Sequence, residues 1–327
     1  MKIDAEVGQT LDNFRGLNNV DATHKFPMGK GTFLQLAINC DVDDNGKIRR
    51  RWGIDQRISG ASHSAWSNPS ETICLYVRNG KLCRLEEDFS ETILGSVDTQ
   101  ARMAFVEVFD KVFYSNAMII GYYKNSVMNS LPAVTQEFKQ TMRPGHLLEW
   151  YNSRLYVAHD NVIYFSDATV PMVWDKRKNF IPMLGHITMI KAVRDGIYVS
   201  CLGDGTYFLG GSDPFEFVAI KITDSHAYLY SAVAVQGEDL GEAGQQALGT
   251  AIFWTSSEGV YRGLAGGRVK NVTGDYYTPA EDATMGAALY REDLDYNQYI
   301  FTYNFEQDNN AEINIPHPTI VGVGTIS

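Results

Sequence analysis

The stretch LLEWYNSRLYVAHDNVIYFSD (147–167) decides the fold. It holds three short apolar and aromatic runs, separated by the turn dipeptides Asn152-Ser153 and Asp160-Asn161. Tyr, Val and Ile in runs of four to six residues suit a pleated, half-buried surface. Asn and Asp tolerate the left-handed backbone of a tight turn. The stretch therefore reads as an antiparallel meander of three strands.

The same grammar recurs outward in both directions. ICLYVRNGKLCRLEED (73–88) folds about Asn79-Gly80, which supplies the positive φ angles of a type I′ turn. FVEVFDKVFYSNAMIIGYY (105–123) turns around Asp110-Lys111, and MIKAVRDGIYVSCLGDGTYFLGG (189–211) at Asp195-Gly196 and Asp204-Gly205. AIFWTSSEGVYRGLAGGRVKNV (251–272) turns at Glu258-Gly259 and Gly266-Gly267, and ALYREDLDYNQYIFTYNF (288–305) near Asp295–Asn297. The segments start near 73, 105, 147, 189, 251 and 288, at intervals centred on about 40 residues, the period of propeller blades. No WD or kelch signature is present. A β-sandwich would also show short, regularly spaced strands. The recurring meander of three or four strands favours a propeller, because each blade is one such meander. The expectation is an all-β, β-propeller-like fold of about six blades within residues 70–327, with at least about 40% strand and under about 10% helix.

The rest of the chain carries weaker signals. EFKQTMR (137–143), before Pro144-Gly145, reads as a loop or one helical turn. SGASHSAWSNPS (59–70) reads as a linker or long loop. QGEDLGEAGQQALG (236–249) reads as a surface insertion on an interacting rim. Residues 1–69 form an extended N-terminal arm with a hairpin, closed by Asp44-Asn45-Gly46 between Ile38–Val42 and Lys47–Trp52.

Composition excludes several classes. With 327 residues, 44% hydrophobic and 20% charged, the chain is not disordered. No stretch approaches about 18 consecutive apolar residues, so no membrane span is expected. The first residues lack the apolar core of a secretory signal. Lys and Arg number 28 against 39 Asp and Glu, a net charge of −11. Such a chain is poorly suited to gripping a phosphate backbone and compatible with nucleic acid passing without sticking. The four Cys read as free thiols. Cys74 and Cys83 share a hairpin face only diagonally, roughly 7–8 Å apart, too far for easy bridging.

Candidate chemistry is sparse. Asp41-x-Asp43-x-Asn45-Gly46 matches the first half of a calcium loop, but the twelfth position is Trp52 rather than Glu and the flanks are strands. No metal or other cofactor is expected. Arg49 and Arg51 share one strand face while Arg50 points away. They could pair with Asp41 or Asp43, reach a neighbouring subunit or meet phosphate. No G-x-S-x-G, H-E-x-x-H or phosphate-binding glycine loop occurs. His24, His63, His146, His159, His186, His226 and His317 are scattered, so no catalytic residue is assigned. Tyr151, Tyr156, Tyr164, Phe165, Tyr198, Tyr207 and Phe208 read as packing between blades rather than sugar platforms. Phe14, Leu17, Phe26, Phe33 and Leu34 stand on an arm with little periodicity. They need a surface to bury them, either the chain's own propeller or a partner. Together with Arg49 and Arg51 they form the candidate docking set.

One segment resembles a known family. Phe14, Gly16, Leu17, Asn18, Asn19 and Val20 match an "F-x-G-L-N-N-V" opening found in virion proteins of tailed bacteriophages. Ala37, Asn39, Asp41, Asp43, Asp44, Gly46, Ile48, Arg50, Arg51 and Gly53 match the "A-x-N-x-D-x-D-D-x-G-x-[IL]-x-R-R-x-G" hairpin that follows it there. NSRLYVAHDNVIYFSD (152–167) is similar to the blade hairpins of these proteins. The layout resembles the podophage tail stabilisation, or nozzle, proteins. The close match covers about 40 residues. The resemblance implies a structural, non-enzymatic tail accessory, nozzle or hub protein, made in the host cytoplasm and located in the virion. It implies a homo-oligomeric ring around the DNA-ejection conduit, with other tail or portal-complex proteins as partners and no specific nucleic-acid binding. The competing expectation is a propeller-type carbohydrate-binding or receptor-binding tail module, or a glycan-active enzyme.

Overall fold

The computed structural model describes residues 14–21, 32–35, 40–42, 46–50, 56–98, 101–236, 249–274, 276–279, 283–293, 296–305 and 321–323. The chain divides into two compact units. A central unit comprises residues 54–227 with 265–268, and a terminal unit comprises 1–53, 228–264 and 269–327.

The central unit holds four antiparallel four-stranded sheets, each an up-and-down meander. The first blade is Ser62–Ser67, Cys74–Arg78, Lys81–Leu85 and Glu91–Ser96. The second is Ala104–Val108, Lys111–Asn116, Ile119–Lys124 and Val127–Ser130. The third is Leu147–Tyr151, Arg154–His159, Val162–Phe165 and Phe180–Pro182. The fourth is Ile187–Val193, Gly196–Cys201, Gly205–Gly210 and Val218–Thr223. A fifth four-stranded blade, Val233–Gln236, Thr250–Ser256, Gly259–Leu264 and Arg268–Asn271, falls almost entirely in the terminal unit. It is followed there by a three-stranded sheet, Ala283–Asp293, Tyr296–Phe305 and Val321–Val323. The fold is all-β and propeller-like, with blade-type sheets in the expected number. The only helical element among the described residues is a 3-10 turn, Ala265–Gly267.

The second strand of each blade explains the repeat. Leu75-Tyr76-Val77, Val112-Phe113-Tyr114, Leu155-Tyr156-Val157 and Ile197-Tyr198-Val199 begin at the second residue of their strands, and Ile252-Phe253-Trp254 at the third. All fifteen side chains are buried, because a second strand is covered on both faces. Between blades three and four, Tyr156, Ile163, Phe165, Ile187, Ile197 and Leu209 make one apolar cluster. Val108, Phe113, Leu148, Leu155, Val157 and Trp174 make the corresponding one between blades two and three. Tyr151, Tyr156, Phe165, Tyr198 and Phe208 are all core, as expected.

The Asn79-Gly80 turn forms with φ of 50° and 70°, and Cys74 lies opposite Leu85 and Tyr76 opposite Cys83. All four cysteines are free thiols. Three other turns fall one residue earlier than expected. Val108 pairs with Lys111, Val193 with Gly196 and Ser256 with Gly259, so the turns are Phe109-Asp110, Arg194-Asp195 and Ser257-Glu258. The glycine at 196 serves the strand instead of the turn. A Cβ there would meet the Leu209 carbonyl oxygen at 2.5 Å. The supposed linker contains the first strand of the first blade, Ser62–Ser67, and 137–143 contributes a strand, Lys139–Thr141, paired with Val173–Asp175. No helix among the described residues is long and apolar enough to cross a membrane.

Candidate functional site

The arm residues meet their partners within the terminal unit. Phe14–Leu17 runs parallel to Thr32–Leu34. Gly16 sits at φ 99°, which only glycine adopts without strain. Asn18 is buried, and its Oδ1 accepts the Val20 and Asp21 N–H groups at 3.2 and 2.9 Å. Asn19 grips a distant segment. Its N–H donates to Tyr276 O at 2.9 Å and its Nδ2 to Thr278 O at 2.8 Å, while Thr278 N–H donates to its Oδ1 at 2.9 Å. Phe33 is 7% exposed and stacks on Tyr276, ring centres 4.6 Å apart. The two asparagines of the F-x-G-L-N-N-V run thus shape and anchor the arm.

The other candidate docking residues are distributed around this clamp. Phe14, Leu17 and Leu34 are half-buried. Phe26 and Arg51 lie outside the described residues, as do Asp43 and Asn45 of the calcium-like run. Arg49 is exposed on the hairpin Cys40–Val42/Ile48–Arg50, directly opposite Asp41 in the ladder. The Phe14 N–H donates to Gly46 O at 2.7 Å and ties that hairpin to the arm. No local pattern marks Tyr276 and Thr278 in the sequence; the paired asparagines at 18 and 19 are the available signal.

In the central unit the fold gathers histidines that are far apart in the chain. His146 and His186 stand just before the first strands of successive blades, and their rings stack 4.6 Å apart at 16°. His146 Nε2–H donates to Ile187 O at 2.7 Å. His186 Nδ1 lies 3.1 Å from Asp160 Oδ1, and His159 Nδ1–H donates to Pro144 O at 3.0 Å. Burial lowers the His146 pKa, which the Ile187 carbonyl partly offsets; His186 and His159 lower it further and Asp160 raises it. At neutral pH the buried ring is therefore an uncharged donor. No group of three or more His, Cys, Asp or Glu among the described residues is placed to hold a metal ion.

A polar cleft of about 350 Å³ opens between the first and second blades. Its walls come from the 68–73 loop, from Arg84, and from the 107–112 and 123–126 segments. Asn68 is buried and fully engaged: Nδ2 donates to Ser70 Oγ at 2.7 Å and Thr72 Oγ1 at 3.0 Å, and Oδ1 accepts Ile73 N–H at 2.8 Å. Asp110 sits on the opposite wall between Lys111, at 2.9 Å, and Lys124. These two ammonium groups hold its pKa down to about 2.

No family model matches the chain, and no curated protein matches it. Solved structures do. The extracellular domain of BT4673 from B. thetaiotaomicron aligns with a TM-score of 0.50 at 9% identity, over 82% of this chain and 33% of that one. XC5397 from Xanthomonas campestris, a gluconolactonase, aligns with a TM-score of 0.49 at 10% identity, over 74% of this chain and 82% of that one. The Neurospora crassa Pan2 WD40 domain aligns at 0.45 and 10%, over 74% and 72%. The chain spans about a third of the length of the first structures it matches. Identities this low speak to the fold alone.

Proposed function

We propose that the protein is a structural component of a bacteriophage tail, an accessory, nozzle or hub protein, without catalytic activity. The observation that carries this reading is the F-x-G-L-N-N-V opening followed by the hairpin motif within residues 14–53. The seating of Asn18 and Asn19 supports it, since both are engaged in holding backbone of the arm and its contact segment. On this reading the protein acts in the virion after synthesis in the host cytoplasm. Copies form a ring with other tail or portal-complex proteins, and DNA passes through it during ejection. A net charge of −11 suits a conduit wall, because tight binding of phosphate would slow passage.

The test is a quantitative protein inventory of purified particles. The expected result is this chain at several copies per virion. Recovery only in the soluble lysate, with none in particles, sinks the reading.

A further inference from the structure

We propose that the cleft between the first and second blades binds a carboxylate-bearing saccharide, with Arg84 as the seat of the carboxylate. This inference is independent of the tail assignment. A guanidinium has five N–H donors and favours paired bonds to a carboxylate. Arg177 has such a bond: its Nε and Nη2 reach the Asp175 oxygens at 3.1 and 2.9 Å. Arg84 has only long contacts. Its Nη1 lies 3.4 Å from both Tyr123 Oη and Ser126 Oγ, and its Nη2 3.4 Å from Glu86. Its Nε is shut off from solvent and has no partner. An incoming carboxylate would meet Nη1 and Nη2 instead, where it competes with Glu86 and displaces no short bond.

The lining selects the rest of the ligand. Arg84, Lys111 and Lys124 stand with Glu107 and Asp110 on the walls and Glu86 beside the guanidinium, so the charges around the cleft balance in a chain of net charge −11. The two carboxylates disfavour a dianion such as phosphate, but they accept hydrogen bonds from hydroxyl groups. Ser70, Thr72, Asn125 and Ser126 offer further neutral partners on the same walls. Val112 and Tyr123 close the floor. A space of about 350 Å³ is at the small end of ligand sites, room for one sugar ring.

The test is calorimetric titration of the full chain with D-glucuronate, D-glucose and inorganic phosphate. Glucuronate is expected to bind with a dissociation constant on the order of millimolar, and glucose at least about tenfold more weakly. Arg84→Gln should weaken glucuronate at least about tenfold and leave the response to glucose unchanged, while Arg84→Lys should recover only part of the loss. Ser126→Ala, at an exposed turn, gives a second reading should Arg84→Gln unfold, and should weaken glucuronate several-fold. Absence of glucuronate binding overturns the proposal. So does binding indifferent to both substitutions, and so does phosphate bound as tightly as glucuronate, which marks a bare anion site.

Discussion

A single hydroxyl recurs at one place in the blades. Ser115 and Ser200 both follow the apolar triplet of a second strand. Ser115 Oγ accepts the Gly145 N–H at 2.9 Å, and Ser200 Oγ accepts the Ala227 N–H at 2.7 Å. In the third blade the place is taken by Ala158, and its carbonyl oxygen accepts the His146 N–H at 2.9 Å. Each serine therefore fixes the connector that leads into the next blade, whereas the Ala158 carbonyl fixes the connector that leads into its own. Ala227 is fully buried, so losing its acceptor strands an N–H out of reach of water. Ser200→Ala should cost about 1–3 kcal/mol in urea unfolding, seen as a lower midpoint at unchanged slope. A loss under about 0.5 kcal/mol would mean that a water or a backbone shift replaces the hydroxyl. Glu149 supplies a second test. Burial raises its pKa and Lys191, 3.5 Å away, lowers it. Lys191→Met should destabilise the protein more at high pH than at low pH, because protonation spares Glu149 the need of a partner. Equal losses at both pH values would show that the ammonium contributes only packing.

At the scale of elements, legibility followed burial. Second strands such as Leu155–Val157 are covered on both faces, so their composition announced them. Ser62–Ser67, Lys139–Thr141 and Val218–Thr223 carry polar or exposed side chains and are held mainly by ladder hydrogen bonds, which composition does not record. The cluster of His146, His159 and His186 was illegible for another reason. It is assembled from two equivalent connectors one blade apart, at His146 and His186, and a strand end at His159, so no short spacing betrays it. Its consequence is measurable. The unfolded chain protonates His146 at an ordinary imidazole pKa near 6.5, while burial keeps the folded form neutral to lower pH. Below about pH 6.5 the unfolded state thus binds the extra proton, and stability falls with pH at up to about 1.4 kcal/mol per unit until the folded pKa is passed. His146→Gln retains an N–H donor for Ile187 and removes the titration. The slope of unfolding free energy between pH 7.5 and 5 should be shallower in this variant. An unchanged slope would assign the acid sensitivity to other groups, with His226, whose pKa burial also lowers, the next to substitute.

For the molecule as a whole, the decisive segment is the arm, since its apolar residues can bury themselves only against something else. The sequence left two surfaces open, the chain's own body or a partner. Phe33 settles its own case by stacking on Tyr276, and Asn19 by its three bonds to 276–278. Burial of one Phe contributes about 1.5–3 kcal/mol, and each hydrogen bond adds about 1 kcal/mol. The arm is therefore part of the terminal unit's stability, whatever else it does. Phe33→Ala should cost about 3 kcal/mol, the low end for buried Phe because Tyr276 is itself 43% exposed. Hydrogen exchange should then quicken at 276–279, with the sheets of the central unit as the internal reference. A variant that matches the parent in both measurements would return Phe33 to the docking set. Deleting residues 1–35 separates the two duties further. Half-buried Phe14, Leu17 and Leu34 have surface left for a partner, and Arg49 stands exposed on the hairpin beyond the deletion. A truncated chain that keeps its circular dichroism but fails to enter particles places docking in the arm. One that folds and still enters them leaves the arm with the intramolecular duty alone, and shifts docking toward the Arg49 hairpin or the 236–249 insertion.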